Sequence, residues 1–252
     1  MLWLIEQVEK IKLFDLVSLI PCLSEERREK FARFRHEPSA VQSALAELLL
    51  RYALREEYGQ TALPDIHTGG KGKPFFPGRP DIHFNLSHCS KAVACALDAD
   101  PVGVDVQEIR PLRRDGTLPS ASPSLPLEGK VSPVRTLVTD EVVPQARRTP
   151  SIYRVLSEPE RAWVEAGETQ EEQDRRFTAV WTCKEAWGKA LGVGFLYDLK
   201  SSCFLPDKET WRQHVFTFFH LSREAYELTL CSRELLPCVS VSFEEIRDKA
   251  SL

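Results

Sequence analysis

The chain has 252 residues and an ordinary globular composition, with 42% hydrophobic and 28% charged residues. Its net charge of −4 argues against a surface built for nucleic acid, and no apolar run reaches the roughly 18 residues of a membrane span. Seven cysteines without a Cys-x-x-Cys pair indicate reduced thiols rather than a disulfide framework or a zinc site. The start, MLWLIEQVEK, becomes charged too early for a secretory signal, so we expect a cytoplasmic protein.

The first predicted elements are two helices. Residues 24–35, SEERREKFARFR, form a basic amphipathic segment in which Ser24 is placed to cap the helix. Pro38 can open a second helix, because proline is tolerated in the first turn, and Gly59 is placed to end it. The apolar positions of this second helix recur every three or four residues and are Val41, Leu45, Leu48, Leu49 and Tyr52.

Three strands are predicted after a loop. Residues 68–81 are dense in glycine and proline, which is typical of a loop. Two of the following segments, IHFNLS and VGVDVQ, alternate apolar and polar residues, and KAVACALD is a short apolar run. Residues 110–150 are rich in proline and serine and lack periodicity, so we expect a flexible insertion there.

The second half of the chain returns to ordered patterns. Ser157 and Glu160 form a capping box at the start of a short helix, and a longer helix spans about residues 170–191 and stops at Gly192. The strand-like runs that follow are HVFTFFH, YELTLCS and CVSVSFE.

Helices and about three strands with short connections therefore recur on both sides of the insertion. This arrangement predicts the α+β class with two similar halves. We expect an N-terminal half at residues 1–109, the insertion at 110–150 and a C-terminal half at 151–252.

The segment WTCKEAWGKALG, residues 181–192, places Lys184 at the centre of an apolar helix face. Glu185 and Lys189 flank it, one helical turn apart. In one interpretation these two form a surface ion pair worth about 0.3–0.5 kcal/mol, and Lys184 extends along the edge of the core. In the other, a bound phosphate or carboxylate meets Lys184, because a buried cation is costly without an anion.

Two predicted strands carry polar side chains that are open to the same two kinds of interpretation. In VGVDVQ the valines share one face and Asp105 lies on the other, where it either meets solvent or binds a hard cation. Ser87 shares a face of the first strand with His83 and Asn85, and His88 begins the turn after it; Ser87 and His88 either have structural roles or hold a phosphate. Lys71 and Lys73 in the preceding loop are, by themselves, ordinary solvated lysines.

Four motifs occur in order: GKP at 72–74, FNLSH at 84–88, GVDV at 103–106 and WTCKEAWGKALG at 181–192. With the basic segment at 25–40, they resemble the 4′-phosphopantetheinyl transferases of the surfactin-synthetase-activating type. The resemblance implies two α/β halves related by a pseudo-twofold axis, with the active site between them. It implies transfer of phosphopantetheine from coenzyme A to a serine of an apo acyl or peptidyl carrier protein, with release of 3′,5′-ADP. It also implies a monomer, since one chain makes the whole site.

The resemblance assigns roles to individual residues. It implies a Mg²⁺ ion bound by Asp105 and Glu185, with Gln107 at the position of a third ligand. Glu185 is the candidate base that orients or deprotonates the carrier serine, and Lys184, near the reacting phosphate, is a weaker candidate. The residues implied in coenzyme A binding are Arg27, Lys30, Lys73, Ser87, His88 and Lys189.

Three features depart from the family pattern. The family usually has glutamate at the position of Gln107, and an amide oxygen supplies no negative charge, so we predict weaker metal affinity. Gln42 stands where the family often has an arginine for the 3′-phosphate. The insertion has no clear counterpart; we expect disorder, and a carrier-protein contact is the alternative. The arginines available for such a contact are Arg113, Arg114, Arg135, Arg147 and Arg148.

Two other functions are considered. A metal-dependent nuclease also uses carboxylates and lysine on phosphates, but its carboxylates lie on adjacent strands, whereas Glu185 is on a helix far along the chain from Asp105. The acidic balance also offers duplex DNA no platform. A non-catalytic coenzyme A or carrier-protein binding module would explain Gln107. The presence of Asp105, Glu185 and both lysines of the helix argues against that module.

Overall fold

Ten strands and six α-helices form the part of the chain that the computed structural model describes, residues 1–70, 72–111, 155–193 and 198–250. The strands are β1 (Leu2–Glu6), β2 (His67–Thr68), β3 (Pro74–Phe75), β4 (His83–His88), β5 (Ala92–Asp98), β6 (Gly103–Glu108), β7 (Thr210–Gln213), β8 (Phe216–Ser222), β9 (Tyr226–Ser232) and β10 (Cys238–Ser240). The helices are α1 (Leu13–Leu16), α2 (Glu25–Arg33), α3 (Glu37–Tyr58), α4 (Glu158–Glu165), α5 (Gln170–Leu191) and α6 (Phe243–Ala250). From residue 112 onward the predicted insertion, with its arginines, lies outside the described residues, as does Lys71.

The N-terminal module is a sheet of strand order β10-β1-β5-β4 covered on one face by α3. Its strands pair antiparallel, except that β10 lies parallel to β1. Alternate strand residues such as Ile5 and Val93 pack with Leu45 and Leu49 of the helix. The helix ends at Gly59, whose φ of 64° is the left-handed conformation that glycine adopts most easily.

The C-terminal module is an antiparallel sheet of strand order β6-β9-β8-β7, with α5 against one face. A Cβ atom at Gly103 would lie 2.0 Å from the carbonyl oxygen of Ala186 and 2.5 Å from the nitrogen of Ala190. Glycine is therefore required at this position, because the backbone of α5 lies directly against β6. The helix ends at Gly192, with a φ of 67°.

The two sheets pack face to face, which gives four layers in the order α3, N-terminal sheet, C-terminal sheet, α5. Small alanines of β5 allow the sheets to approach, and the valines of β6 fill the space between them. The residues of this core include Leu2, Leu4, Ala92, Ala94, Ala96, Val102, Val104, Val106, Leu228 and Leu230. Because the valines point to this core, Asp105 points the other way, toward α5.

The predicted α+β class is confirmed. The predicted helices appear as α2, α3, α4 and α5, and five predicted strands appear as β4, β5, β6, β8 and β9. Ser24 accepts a hydrogen bond from the main-chain nitrogen of Arg27, and Ser157 and Glu160 form the expected capping box. The run CVSVSFE, however, divides into β10 and the start of α6, and β1 was not predicted.

The sheets do not follow the expected halves of the chain. β6 lies within the predicted N-terminal half, residues 1–109, yet it pairs with β9, and β10 returns from the C-terminal half to pair with β1. Strand partners are set by long-range packing, which a local pattern does not record.

Neither a membrane span nor a disulfide is found in the described part of the chain. None of its helices combines the length and the apolar character that a membrane span needs. None of its cysteines forms a disulfide.

Candidate functional site

Side chains of β4 join the two sheets, because β4 and β6 are edge strands of different modules. Asn85 Oδ1 accepts a hydrogen bond from Val104 N (2.8 Å), and Ser87 Oγ accepts one from Val106 N (3.1 Å). These bonds use main-chain donors at the edge of β6, which would otherwise lack a strand partner. The FNLSH motif therefore closes the junction between the modules. The sequence pattern did not reveal this role of Asn85, because alternation of apolar and polar residues shows which strand face is polar but not which segment that face contacts.

Asp105 lies at this junction and is 1% exposed. Its Oδ1 accepts hydrogen bonds from Ser87 Oγ (2.9 Å) and from the Lys189 ammonium (2.6 Å). Its Oδ2 accepts one from the Gln107 amide nitrogen (3.1 Å), and Lys189 also donates to Val104 O (3.1 Å). The structure thus brings four of the predicted site residues into direct contact.

Glu185 approaches the same carboxylate from α5, one turn before Lys189. Burial raises the pKa of Glu185 to about 7, and repulsion by the Asp105 carboxylate adds to this shift, while Lys189 opposes it. Lys189 forms its ion pair with Asp105, whereas one interpretation of the sequence predicted a surface ion pair between Lys189 and Glu185. Two carboxylates are held close together here, and a divalent cation would relieve their repulsion.

The donor set fits Mg²⁺, which prefers carboxylate oxygens. Gln107 donates its amide N–H to Asp105, so a half-turn of the amide would be needed to present its oxygen to an ion. Within the described residues no group of three or more His, Cys, Asp or Glu side chains forms a ready-made metal centre. The predicted set contains two such residues and an amide, so a metal would be bound by Asp105 and Glu185, by Gln107 directly or through water, and by further ligands from outside the protein.

His88 adds a buried acceptor beside the carboxylates. Its Nδ1 lies 3.1 Å from Gln42 Oε1, and its Nε2 is buried without a hydrogen-bond partner among the described residues. Burial lowers the pKa of this imidazole to about 4, and the positive charges of Lys189, Arg27 and Lys30 add to the shift. A phosphate that entered among these cations would meet this ring nitrogen, which binds it only when the imidazole hydrogen is on Nε2.

Arg27 and Lys30 of α2 line a cavity of about 320 Å³. The Arg27 guanidinium is buried, with Nε 3.3 Å from Glu47 Oε2 and Nη1 3.0 Å from Ser43 Oγ. Glu47 also accepts hydrogen bonds from the main chain and hydroxyl of Ser24 (2.6 and 2.7 Å), the N-cap of α2. The buried Glu47 carboxylate therefore holds the basic segment against α3. This contact places Arg27 and Lys30 near His88.

Lys73 reaches the C-terminal end of α5 instead. Its ammonium donates to the carbonyl oxygens of Val102 (3.0 Å) and Ala190 (3.1 Å). Burial lowers the pKa of Lys73 to about 8. A cation is favourable at a helix C-terminus, where carbonyl groups lack partners. In this position Lys73 ties α5 to the start of β6, and its contact with coenzyme A stays a prediction.

Lys184 lies in the interior, about 100° around the helix from Glu185. Its ammonium is 2.9 Å from Glu160 Oε1, and both side chains are fully buried. It also donates to the carbonyl oxygens of Leu199 (2.5 Å) and Ser202 (2.7 Å). The carboxylate that meets this lysine is thus an internal one, from the capping box of α4. These contacts describe a structural role, and a role at the reacting phosphate stays a prediction.

The fold and the site together define a class: a two-module α+β protein whose junction carries paired carboxylates, cations and a buried imidazole. This combination suits a divalent cation and phosphate groups.

Known proteins agree with this class. Residues 139–238 match the model of the 4′-phosphopantetheinyl transferase superfamily. The chain is 29% identical over 245 residues to 4′-phosphopantetheinyl transferase psf-1 of Bacillus pumilus, an alignment that covers 91% of this chain and 83% of that protein. It is 39% identical over 92 residues to 4′-phosphopantetheinyl transferase Sfp of Bacillus subtilis (strain 168), covering 36% of this chain and 41% of that protein.

The resemblance predicted from the motifs is therefore confirmed: the chain is similar to Sfp-type 4′-phosphopantetheinyl transferases over most of its length. The chain matches only about two fifths of the length of two relatives from Bacillus subtilis, 42% of one 4′-phosphopantetheinyl transferase and 41% of Sfp.

Proposed function

We propose that this protein is a magnesium-dependent 4′-phosphopantetheinyl transferase. It moves phosphopantetheine from coenzyme A to a serine of an apo acyl or peptidyl carrier protein and releases 3′,5′-ADP, the reaction type of holo-[acyl-carrier-protein] synthase. The observation that carries the proposal is the pair of buried Asp105 and half-buried Glu185 at the junction of the modules, with Lys189 bonded to Asp105 at 2.6 Å. The names of the relatives support the same activity.

Two carboxylates, an amide and a lysine would bind the pyrophosphate, either through the metal ion or directly. Asp105 and Glu185 would hold Mg²⁺, which when bound neutralises charge on the phosphates. Gln107 would contribute its amide oxygen, directly or through water. Lys189 would keep one hydrogen on Asp105 and turn the one that contacts Ser87 Oγ (3.3 Å) toward the pyrophosphate.

The buried imidazole would bind a further phosphate of coenzyme A. Rotation of the Gln42 amide exchanges its oxygen and nitrogen, so the amide then donates to His88 Nδ1. The imidazole hydrogen then resides on Nε2, where it can be donated to a phosphate oxygen. Arg27 and Lys30 supply positive charge on the same side. Gln42 would in this way replace the family's arginine by setting the tautomer of His88.

The transfer itself is a displacement at phosphorus. The carrier serine oxygen forms a bond to the β-phosphorus of coenzyme A, and the bond from that phosphorus to the bridging oxygen breaks, so that 3′,5′-ADP leaves with the electron pair. Glu185 takes the serine proton, directly or through a water molecule.

The proposal also covers partners and location. The partners are coenzyme A and an apo carrier protein, and the enzyme acts as a cytoplasmic monomer without nucleic acid or membrane. Carriers of fatty-acid, polyketide and nonribosomal-peptide synthesis present a similar acidic helix and serine, so the carrier is proposed as a class.

Mass spectrometry of a carrier protein tests the proposal. The protein is incubated with coenzyme A, Mg²⁺ and a panel of apo carriers, and each carrier is weighed before and after. We expect a phosphopantetheine-sized gain with the wild type and none with Glu185→Ala. The matched control is Glu165→Ala, an exposed glutamate of α4 outside the site, which should transfer like the wild type.

The alternative, a non-catalytic binding module, is favoured by one observation: Gln107 donates to Asp105 where the family has a carboxylate. Measurable coenzyme A binding by calorimetry, with no mass gain on any carrier, would support that module and contradict the transferase.

A further inference from the structure

Helix α5 carries three polar side chains at seven-residue spacing, which places them on nearly the same side of the helix. Each one bonds a strand of the C-terminal sheet. The pairs are Arg175–Glu227 (2.7 Å), Thr182–Thr229 (2.9 Å) and Lys189–Asp105 (2.6 Å). The last of these pairs belongs to the site described above, whereas the first two have no role in it.

Thr229 of β9 is the centre of the middle contact. Its Oγ1 lies 2.9 Å from Thr182 Oγ1, 2.9 Å from His220 Nδ1 and 3.4 Å from Cys183 Sγ. Thr229, Thr182 and Cys183 are fully buried, and His220 is 9% exposed. Four polar side chains are thus closed off from water between the helix and the sheet, where Thr229 joins the other three.

The chain of hydrogen bonds continues to a buried carboxylate. His220 Nε2 lies 2.9 Å from Glu227 Oε2 and donates to it. The other oxygen of Glu227 accepts from the Arg175 guanidinium (2.7 Å) and from Ser222 Oγ (2.9 Å). The Thr182 hydroxyl, which bonds Thr229, also donates to the carbonyl oxygen of Ala179 within α5 (2.9 Å). A network of hydrogen bonds therefore links α5 through Thr229 and His220 to Glu227.

The middle of this network, at Thr229, lies beside the proposed metal-binding pair, Asp105 and Glu185. Thr229 is the direct partner of Asp105 in the β6–β9 ladder, and His220 is the direct partner of Thr229 in the β8–β9 ladder. Residues directly opposite each other in an antiparallel pair point to the same face. On the helix side, Thr182 comes three residues before Glu185, which is within one turn. The same hydroxyl contact thus adjoins Asp105 on the sheet and Glu185 on the helix.

We propose that Thr229, with His220 and Thr182, is a positioning residue that holds Glu185 at its working distance from Asp105. Apolar packing is non-directional, so it does not by itself define how far α5 is shifted or rotated over the sheet. The Lys189–Asp105 bond and the close approach of Gly103 to Ala186 restrict the C-terminal part of α5, and the Thr182–Thr229 bond adds a directional contact three residues before Glu185. The affinity of the junction for a divalent cation then depends on Thr229, which itself is not a ligand. This inference rests on the proposed function in that the Asp105–Glu185 pair is the metal site.

Binding of Mn²⁺, measured by electron paramagnetic resonance of the free ion, tests the inference without relying on activity. Thr229→Val keeps the shape and removes the hydroxyl, and we expect about a tenfold higher dissociation constant, the lower end of effects seen for residues that orient metal ligands. Thr229→Ser restores the hydroxyl and should bind like the wild type. Thr182→Ala breaks the same contact from the helix and should match Thr229→Val, which keeps the test decisive if one of these variants does not fold.

The matched control is Thr217→Val, a buried threonine of β8 whose hydroxyl donates to Arg233 O (3.2 Å) away from α5. A merely structural role for Thr229 would lower the melting temperature of both valine variants and leave both Mn²⁺ dissociation constants unchanged. Wild-type affinity in Thr229→Val, together with lost affinity in Glu185→Gln, would overturn the positioning role alone. Absence of Mn²⁺ binding by the wild type would overturn the metal site and with it the proposed function.

Discussion

Two sides of α5 carry lysines in opposite surroundings. Lys184 is sealed against Glu160 and two carbonyl oxygens, so every charge there has an internal partner. Lys189 lies in the junction with Asp105 and Glu185, where two carboxylates meet one another and the negative charge is not fully balanced. The first group is saturated by the protein itself, whereas the second is left to be completed by a ligand. Charge imbalance, rather than burial, therefore marks the site on this helix.

The largest expected effect is on protein stability, at Lys184, where the charges are paired within the protein. Lys184→Met leaves the Glu160 carboxylate buried without its cation, and the free energy of unfolding should fall by about 3–5 kcal/mol. Urea denaturation followed by circular dichroism measures this change. Lys200→Met removes an exposed lysine and should change stability by less than about 0.5 kcal/mol. A stable Lys184→Met variant that has lost transfer would instead put this lysine at the reacting phosphate.

On the junction side of α5, removal of the Glu185 charge should raise the free energy of unfolding rather than lower it. The pKa of Glu185 is raised to about 7 from an ordinary 4.5, so the folded protein binds this proton more tightly than the unfolded chain. The stability that this provides is present below about pH 4.5 and is lost as the pH rises through 7. Glu185→Gln does not titrate, so without divalent cation at pH 8 it should be more stable than the wild type, by up to about 3 kcal/mol.

Urea denaturation at pH 5 and pH 8, in chelator, measures this difference. Stability that is equal in both proteins at both pH values would show that the two carboxylates do not repel each other. Added Mg²⁺ should stabilise the wild type and leave Glu185→Gln nearly unchanged, since a ligand stabilises only the state that binds it.

A smaller effect is expected at the buried imidazole. His88→Ala removes the buried Nε2 nitrogen that is proposed to donate to a phosphate, and we expect the KM for coenzyme A to rise about tenfold with kcat little changed, because ground-state and transition-state binding are lost together. His83→Ala, at the start of the same strand, is the control and should keep the wild-type KM. An unchanged KM in His88→Ala would remove this side chain from the substrate site.

The smallest effect is expected at Gln107. Gln107→Glu adds the carboxylate that the family pattern has, and the Mg²⁺ concentration for half-maximal transfer should fall severalfold. The new charge lies directly opposite Glu227 in the β6–β9 ladder, so stability should drop by about 0.5–1 kcal/mol. Activity is titrated with Mg²⁺, and an unchanged half-saturation value would contradict the predicted metal role of this position.

Much of the fold follows from local signals. The extent of α3 and α5 is recorded in apolar periodicity and in Gly59 and Gly192, which end these helices in the left-handed conformation. Cap residues such as Ser157 act within four residues of themselves, so their chemistry is readable from the chain. The motifs likewise predict Asp105 and Glu185 as site residues, because both occur in short segments of defined pattern.

Contacts between distant segments were decided by the tertiary structure alone. The sequence placed a lysine on an apolar helix face, but only packing shows that Glu160 of α4 meets it. The sequence placed Asp105 opposite a row of valines, but only the sheet order brings Thr229 and His220 beside it. The physical reason is the same in both cases: periodicity reports which way a side chain points, whereas its partner depends on how separate elements pack.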